Sequence, residues 1–203
     1  MESVLQNMPE SIQRAWIYAA QKHLGQQYPS SGLPYLVHIG AVCLELFPAL
    51  ATAPKLDSGL SLCCAILHDT VEDTDTTLED LAAKFGIAVA EGVGALTKQK
   101  SGLSKKAAAM DSLTRIRQQP HEIWLVKLAD RAANLGIPPT HWSLEKCYTY
   151  AVEGEAILRE LGSASPVLAE RLSHRIAVWK AMGRKTDQTE APNADCGTIR
   201  NLH

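Results

Sequence analysis

Several things are missing from this chain of 203 residues, and each absence excludes a class of protein. The opening MESVLQNMPESIQ has no basic stretch followed by an apolar core, so no secretory leader is expected. No apolar run approaches the ~20 residues that span a bilayer. The longest, around Leu60 to Leu67, has the length of a buried core helix. Paired cysteines are missing too. The five thiols fall at 43, 63, 64, 147 and 196, an odd number without a C-x-x-C, and the adjacent Cys63–Cys64 pair rarely bridges. This excludes a disulfide framework and a zinc–thiolate site, and free thiols point to the cytoplasm. Basic charge is not in excess. Lys and Arg total 20 against 22 Asp and Glu, a formal net charge of −2, which argues against a nucleic-acid partner. A small phosphorylated ligand stays compatible, because a basic pocket can sit on a mildly acidic protein. Strand alternation, internal repeats and linkers are also lacking.

What is present is helical periodicity in a chain the size of one domain. Ile12, Ala15, Trp16, Ala19 and Ala20 recur at three and four residues after Pro9 and Ser11, read as start signals. Gly25 to Gly32 is a turn-rich loop. Pro34 suits the first turn of a helix over Tyr35 to Leu46, with Pro48 ending it. Leu60 to His68 reads as a buried helix and the DTVEDTDTT that follows as a loop. Thr77-Leu78-Glu79-Asp80 opens a short helix closed by Gly86. Further helices are expected up to Leu96 and near 105–118, 121–135, 143–161 and 166–182. The fold class is all-α, a helical bundle in a single domain over 1–182. Residues 183–203 read as a disordered polar tail.

The sharpest local feature is Ile66-Leu67-His68-Asp69-Thr70-Val71-Glu72-Asp73. An adjacent His-Asp at the polar end of a buried helix puts imidazole and carboxylate together at the mouth of the core. That donor mix suits manganese, iron or zinc. Glu72 and Asp73, one turn on, add two acids that repel one another unless a cation lies among them. Upstream, Tyr35-Leu36-Val37-His38 places a histidine early in an apolar helix. Downstream, Val126 to Leu135 buries Asp130 in a core-like helix, with Asn134 one turn on and Lys127 one turn back. The alternative makes Asp130 an exposed residue paired with Arg131 or Lys127.

The order H…HD…D, set in helices, resembles the HD-domain phosphohydrolases. The segments AAQKHLGQ (19–26), GLPYLVHIGAV (32–42), AILHDTVEDTDTTLEDLAAKFG (65–86), VGALTK (93–98) and VKLADRAANL (126–135) are more specifically similar to the (p)ppGpp hydrolase domain of the Rel/Spo family, in particular its small stand-alone alarmone hydrolases. The resemblance implies packed helices around one metal, usually manganese, held by His38, His68, Asp69 and Asp130. It puts Glu72 and Asp73 on the acidic pair that positions or activates the attacking water, and Asn134 on a polar contact near metal-proximal water or phosphate. Tyr35 lies beside the pocket, Lys127 is a charge near the phosphates, and Tyr150 approaches the substrate from a later helix. The implied reaction cuts between the ribose 3′ oxygen and pyrophosphate.

Three departures accompany it. The basic pair that usually follows the first helix is Gln27-Tyr28-Pro29, where Tyr28 can stack on a base but brings no charge. The proline after the first metal histidine is Ile39. The arginine past the last motif is Gly136. The metal and water apparatus is complete while the base-recognition edge is altered, so adenine alarmones such as (p)ppApp stand beside (p)ppGpp. A broader HD-type nucleotide phosphatase and a non-catalytic nucleotide sensor are the alternative readings. His23, His121, His141, His174 and His203 are assigned no chemistry, and the lysines at 98, 100, 105 and 106 read as solvated loop residues, with a phosphate-attracting rim as the alternative. Self-association is left open, because no helix seam is diagnostic.

Overall fold

The computed structural model describes residues 2–29, 31–98, 102, 104–139 and 141–184, without the side chains of 2–9, 105, 106, 183 and 184. The described elements are α1 (Glu2–Lys22), α2 (Leu36–Ala51), α3 (Ser58–Leu67), α4 (Thr70–Asp73), α5 (Leu78–Phe85), α6 (Ile87–Leu96), α7 (Lys105–Arg117), α8 (His121–Asn134), α9 (Leu144–Leu161) and α10 (Pro166–Arg184), with a 3₁₀ turn at Gly162–Ala164. Among the described residues no strand forms, and one isolated antiparallel bridge pairs Gln27 with Pro34. The all-α class is as expected. The expected tail beyond Arg184 lies outside the described residues.

Three helices form the centre. α8 packs against α2 and α3, which also pack against each other. α8 is buried from Ile123 to Ala133 except Trp124, its small Ala129, Ala132 and Ala133 letting neighbours come close. Leu125 and Leu128 meet a core that includes Ile39, Leu46, Ile66 and Leu67, all nearly inaccessible. Each such side chain contributes about 1.5–3 kcal/mol when removed from water. α1 covers α3, α6 packs against α3 and carries α5 on itself, and the α9–α10 hairpin closes the other side of α8.

Local chemistry sets the ends. Asp57 caps α3 by accepting from Leu60 N–H at 2.9 Å. Thr77 and Asp80 form a reciprocal capping box on α5, and Gly86, at φ +94°, makes the turn into α6. The Thr77 cap and the closure at Gly86 match the sequence expectation, whereas the Asp57 cap was not among its start signals.

Three boundaries differ from it. α1 starts at Glu2, so Pro9 and Ser11 lie inside the helix rather than before it. α2 runs through Pro48 to Ala51. Pro48 sits on the exposed side with Leu44 and Phe47, while Leu46, Ala49 and Leu50 are buried and carry the helix onward. The hydrogen bond that proline removes is therefore on the water-facing side, where its loss is least felt. Finally, the expected loop after His68 contains a one-turn helix, α4, braced by Thr70 Oγ1 donating to Leu67 O at 2.7 Å and Thr74 Oγ1 donating to Thr70 O at 2.6 Å.

α10 is tied to the centre by charge. Glu45 of α2 is buried and accepts from Arg171 and, at 2.6 Å, from Arg175 Nη2. Arg175 also donates to the carbonyl oxygen of Ala132 on α8. One ion cluster thereby links α2, α8 and α10.

Candidate active site

The three central helices each deliver a ligand-type side chain to one point. His38 is in the first turn of α2, His68 and Asp69 follow the last turn of α3, and Asp130 lies in the second half of α8. The Nε2 atoms of His38 and His68 are 3.3 Å apart. His68 Nε2 is 2.9 Å from Asp69 Oδ2 and 3.9 Å from Asp130 Oδ1, and His38 Nε2 is 3.7 and 3.6 Å from the same two oxygens. His38, His68 and Asp130 form a buried group with ligand atoms all within 4.8 Å of one another.

Hydrogen bonds fix the orientation of most of these groups. His68 Nδ1 meets Ala65 O at 2.7 Å and donates to it, which turns Nε2 toward the other ligand-type atoms. Tyr35 donates its hydroxyl to Asp69 Oδ2. Asp130 accepts from Lys127 Nζ at 2.9 Å and from Asn134 Nδ2 at 2.6 Å, one on each oxygen. His38 is held differently. Its Nδ1 is buried without a hydrogen-bond partner among the described residues, and its ring lies against Tyr28 (5.7 Å between centroids, 15° between planes) and Tyr35 (5.4 Å).

The electrostatics follow from this crowding. Burial and the neighbouring His68 lower the pKa of His38. Burial alone would also lower that of His68, but the Asp69 charge and hydrogen bond, with Asp130, overcome it and raise the imidazole to about 9. Burial pushes both carboxyls up, yet His68 holds Asp69 well below the ordinary range, and Lys127 with the two histidines does the same for Asp130. Burial and the Asp69 charge push the Tyr35 phenol up, keeping it a donor. The pocket thus gathers anionic oxygens around a point that favours positive charge.

The donor set fits a divalent metal. Ligand atoms about 2.1 Å from a metal stand about 3.0–3.5 Å from their neighbours, and four of the five donor separations given above fall between 2.9 and 3.7 Å. Two imidazole nitrogens facing each other also need a shared proton or cation between them.

All eleven site residues expected from the sequence line one cleft of about 180 Å³. Glu72 and Asp73 border it from α4, and Glu72 Oε2 accepts from Lys98 N–H at 3.1 Å with Lys98 Nζ 3.7 Å from Oε1. Tyr28 and Tyr150 border it as well. Asp130 is buried and pairs with Lys127, and the exposed alternative is excluded.

Two further residues of the cleft were given no site role in the sequence reading. Lys98, read as a solvated lysine or part of a phosphate-attracting rim, is exposed but borders the cleft and lies on Glu72. Arg131 entered the sequence reading only in the alternative that exposed Asp130, yet it is buried in the wall. The available signal was that Lys127, Asp130, Arg131 and Asn134 share one helical face at spacings of three and four. His23 carried no assignment, and it is buried against the Tyr35 ring with Nδ1 2.6 Å from Gln26 Oε1.

An all-helical domain with paired histidines and aspartates at the junction of its central helices defines a class of metal-dependent helical proteins. The family model described as "HD domain" matches residues 15–168, and the chain belongs to that family. Among curated relatives, it is 32% identical over 161 residues to the zebrafish (Danio rerio) guanosine-3′,5′-bis(diphosphate) 3′-pyrophosphohydrolase MESH1, covering 76% of this chain and 86% of that protein. It is 30% identical over 195 residues to the guanosine-3′,5′-bis(diphosphate) 3′-pyrophosphohydrolase of Aquifex aeolicus, covering 92% of this chain but spanning only 25% of that longer relative. A solved structure described as a metazoan ortholog of SpoT that hydrolyzes ppGpp superposes with a TM-score of 0.71 at 28% identity, covering 83% of this chain and 94% of that one. The Listeria monocytogenes protein lmo0812 shares the fold, with a TM-score of 0.58 at 21% identity over 74% of this chain and 99% of that one.

Proposed function

We propose that this chain hydrolyses the 3′-pyrophosphate of an alarmone nucleotide, (p)ppGpp or a purine relative such as (p)ppApp, releasing pyrophosphate and the 5′-nucleotide. The observation that carries this reading is the convergence of His38, His68, Asp69 and Asp130 with the acids Glu72 and Asp73 in one cleft. His38, His68, Asp69 and Asp130 would hold one divalent metal, with manganese favoured by the imidazole–carboxylate mix and by the family. When bound, that ion supplies Lewis acidity toward water and a phosphoryl oxygen.

The chain's own residues account for the rest. Glu72, oriented by the Lys98 amide, and Asp73 beside it accept a proton from the attacking water. The water oxygen bonds to the phosphorus next to the ribose, and the bond from that phosphorus to the 3′ oxygen breaks. The same acidic pair returns the proton to that oxygen. Lys127 and Asn134, fixed by Asp130, offset charge at the phosphates. Tyr28 and Tyr150 border the nucleotide end. Among the described residues no helix is long and apolar enough to cross a membrane. The four described cysteines are free and buried, and free thiols favour a cytoplasmic setting.

The test is pyrophosphate release from ppGpp and ppApp in parallel by manganese-loaded protein, with a metal-free control. Manganese-dependent release from either is expected. A second reading, a broader nucleotide phosphatase, is favoured by one observation. Tyr28, an uncharged ring, stands against His38 in the stretch where the family resemblance implies a basic pair. Comparable turnover of simple 3′-nucleotides would support it, and tight alarmone binding without turnover would make the protein a sensor.

A further inference from the structure

Arg131 stands next to Asp130 on α8 and lines the same cleft, yet none of the roles above uses it. Its guanidinium lies over the Tyr150 ring, 4.1 Å from the centroid, and Nη1 donates to the Tyr150 carbonyl oxygen at 3.3 Å. The nearest acid is Glu153, at 3.8 Å, with a side chain 59% exposed. Its neighbour Asp130 is taken by Lys127 and Asn134. The Arg131 Nε is buried with no hydrogen-bond partner among the described residues. A cation kept in the wall with one screened carboxylate is unfavourable in itself. Its guanidinium contacts both the ring and the backbone of Tyr150, and that ring borders the cleft.

We infer that Arg131 is a positioning residue: it fixes Tyr150 as the aromatic wall of the substrate cleft, in register with the helix that carries Asp130. Tyr150 is held twice, through its ring and through its own backbone. The ring also packs edge-on to Trp142 at 5.2 Å and lies 6.0 Å from Trp179. A lysine cannot replace Arg131, because an ammonium neither stacks as a plane nor donates in a fork. The effect on substrate rests on the alarmone-hydrolase reading, whereas the placement of Tyr150 does not.

The experiment compares full-length wild type, Arg131→Lys, Tyr150→Leu and the double variant by near-ultraviolet circular dichroism and by steady-state kinetics on ppGpp with manganese. Arg131→Lys is expected to lose as much of the aromatic signal as Tyr150→Leu. Its KM should rise on the order of tenfold, the factor matching one desolvated cation–π contact. Its kcat should stay within about twofold, because only binding geometry is altered. In the Tyr150→Leu background, Arg131→Lys should raise KM no further. An aromatic spectrum superposable on wild type overturns the inference, and so do KM effects that add in the double variant. If Arg131→Lys does not fold, Arg131→Gln, which keeps a planar donor, takes its place. A wild-type protein that cleaves neither ppGpp nor ppApp defeats the activity reading alone, and the spectral comparison then decides on Arg131.

Discussion

His38 and His68 are 30 positions apart in the chain, and their Nε2 atoms meet at 3.3 Å. Three helices must pack correctly for this contact and the approach of Asp130 to form together. Metal binding is therefore expected at about one divalent ion per chain in the folded protein. His38→Ala, His68→Ala and Asp130→Ala should each abolish it, with hydrolysis falling on the order of a hundredfold or more. Elemental analysis after desalting checks the stoichiometry. Full metal retention in all three variants would place the ion elsewhere.

The Tyr35 hydroxyl reaches Asp69 Oδ2, the oxygen that also meets His68. Tyr35→Phe keeps the ring contacts with His23 and His38 but frees that carboxylate to turn. Metal affinity should drop about 10–100-fold, as for other supporting hydrogen bonds around metal ligands. Competition against a chelator of known affinity measures it, and an unchanged affinity would show that the hydroxyl has no hold on the site.

Glu45→Ala tests the ion cluster between α2, α8 and α10. It strands Arg175, whose side chain is 20% exposed, while Arg171 at 52% can turn to water. The expected loss is about 2–3 kcal/mol, below the range for a fully buried pair because of that exposure. Urea unfolding gives the value. A variant as stable as wild type would mean the cluster adds specificity without stability.

Gly92 lies where α6 meets α3 and α8. A Cβ there would stand 2.5 Å from Ile123 Cδ1 and 2.9 Å from Cys64 Sγ. Gly92→Ala should destabilise by about 1–3 kcal/mol through overpacking, and adding Ile123→Val should restore part of it. If the denaturation midpoint of the single variant does not move, the contact can relax freely.

The buried thiols give an alkaline limb. Burial raises Cys43 to about 11 and pushes Cys63 and Cys64 upward too. Below the unfolded-chain value of about 8.5, these thiols are protonated in both states and their contribution is whole. Above it the unfolded chain ionises first, so stability falls as pH rises, up to about 11 for Cys43. Denaturation midpoints between those values should decline, and less steeply in a Cys43→Ala/Cys64→Ala variant. Equal slopes would assign the limb to the raised phenols of Tyr35 and Tyr150.

Most of the helices, and the candidate residues that the fold brings into one cleft, were legible in the sequence, because both depend on order and short-range spacing. His68 and Asp69 are adjacent, and Lys127, Asp130 and Asn134 share one helical face. The rest depends on which side of a helix meets another. Pro48 reads as a stop locally, and only the burial of Ala49 and Leu50 explains why α2 continues. The Tyr28–His38 stack and the Arg131–Tyr150 contact join residues whose proximity no periodicity records. Glu45 and Arg175 are 130 positions apart, and nothing near either one announces the other.

α8 presents Lys127, Asp130, Arg131 and Asn134 to the cleft from a single helix. One inserted or deleted residue between 127 and 134 would rotate everything beyond it by about 100°, splitting the group between cleft and core. The same change at the turn over Gly162–Ala164 would leave all four in phase. Length variation along this chain is thus tolerated unequally, and α8 is the stretch whose residue count, as much as its residue identity, heredity must keep.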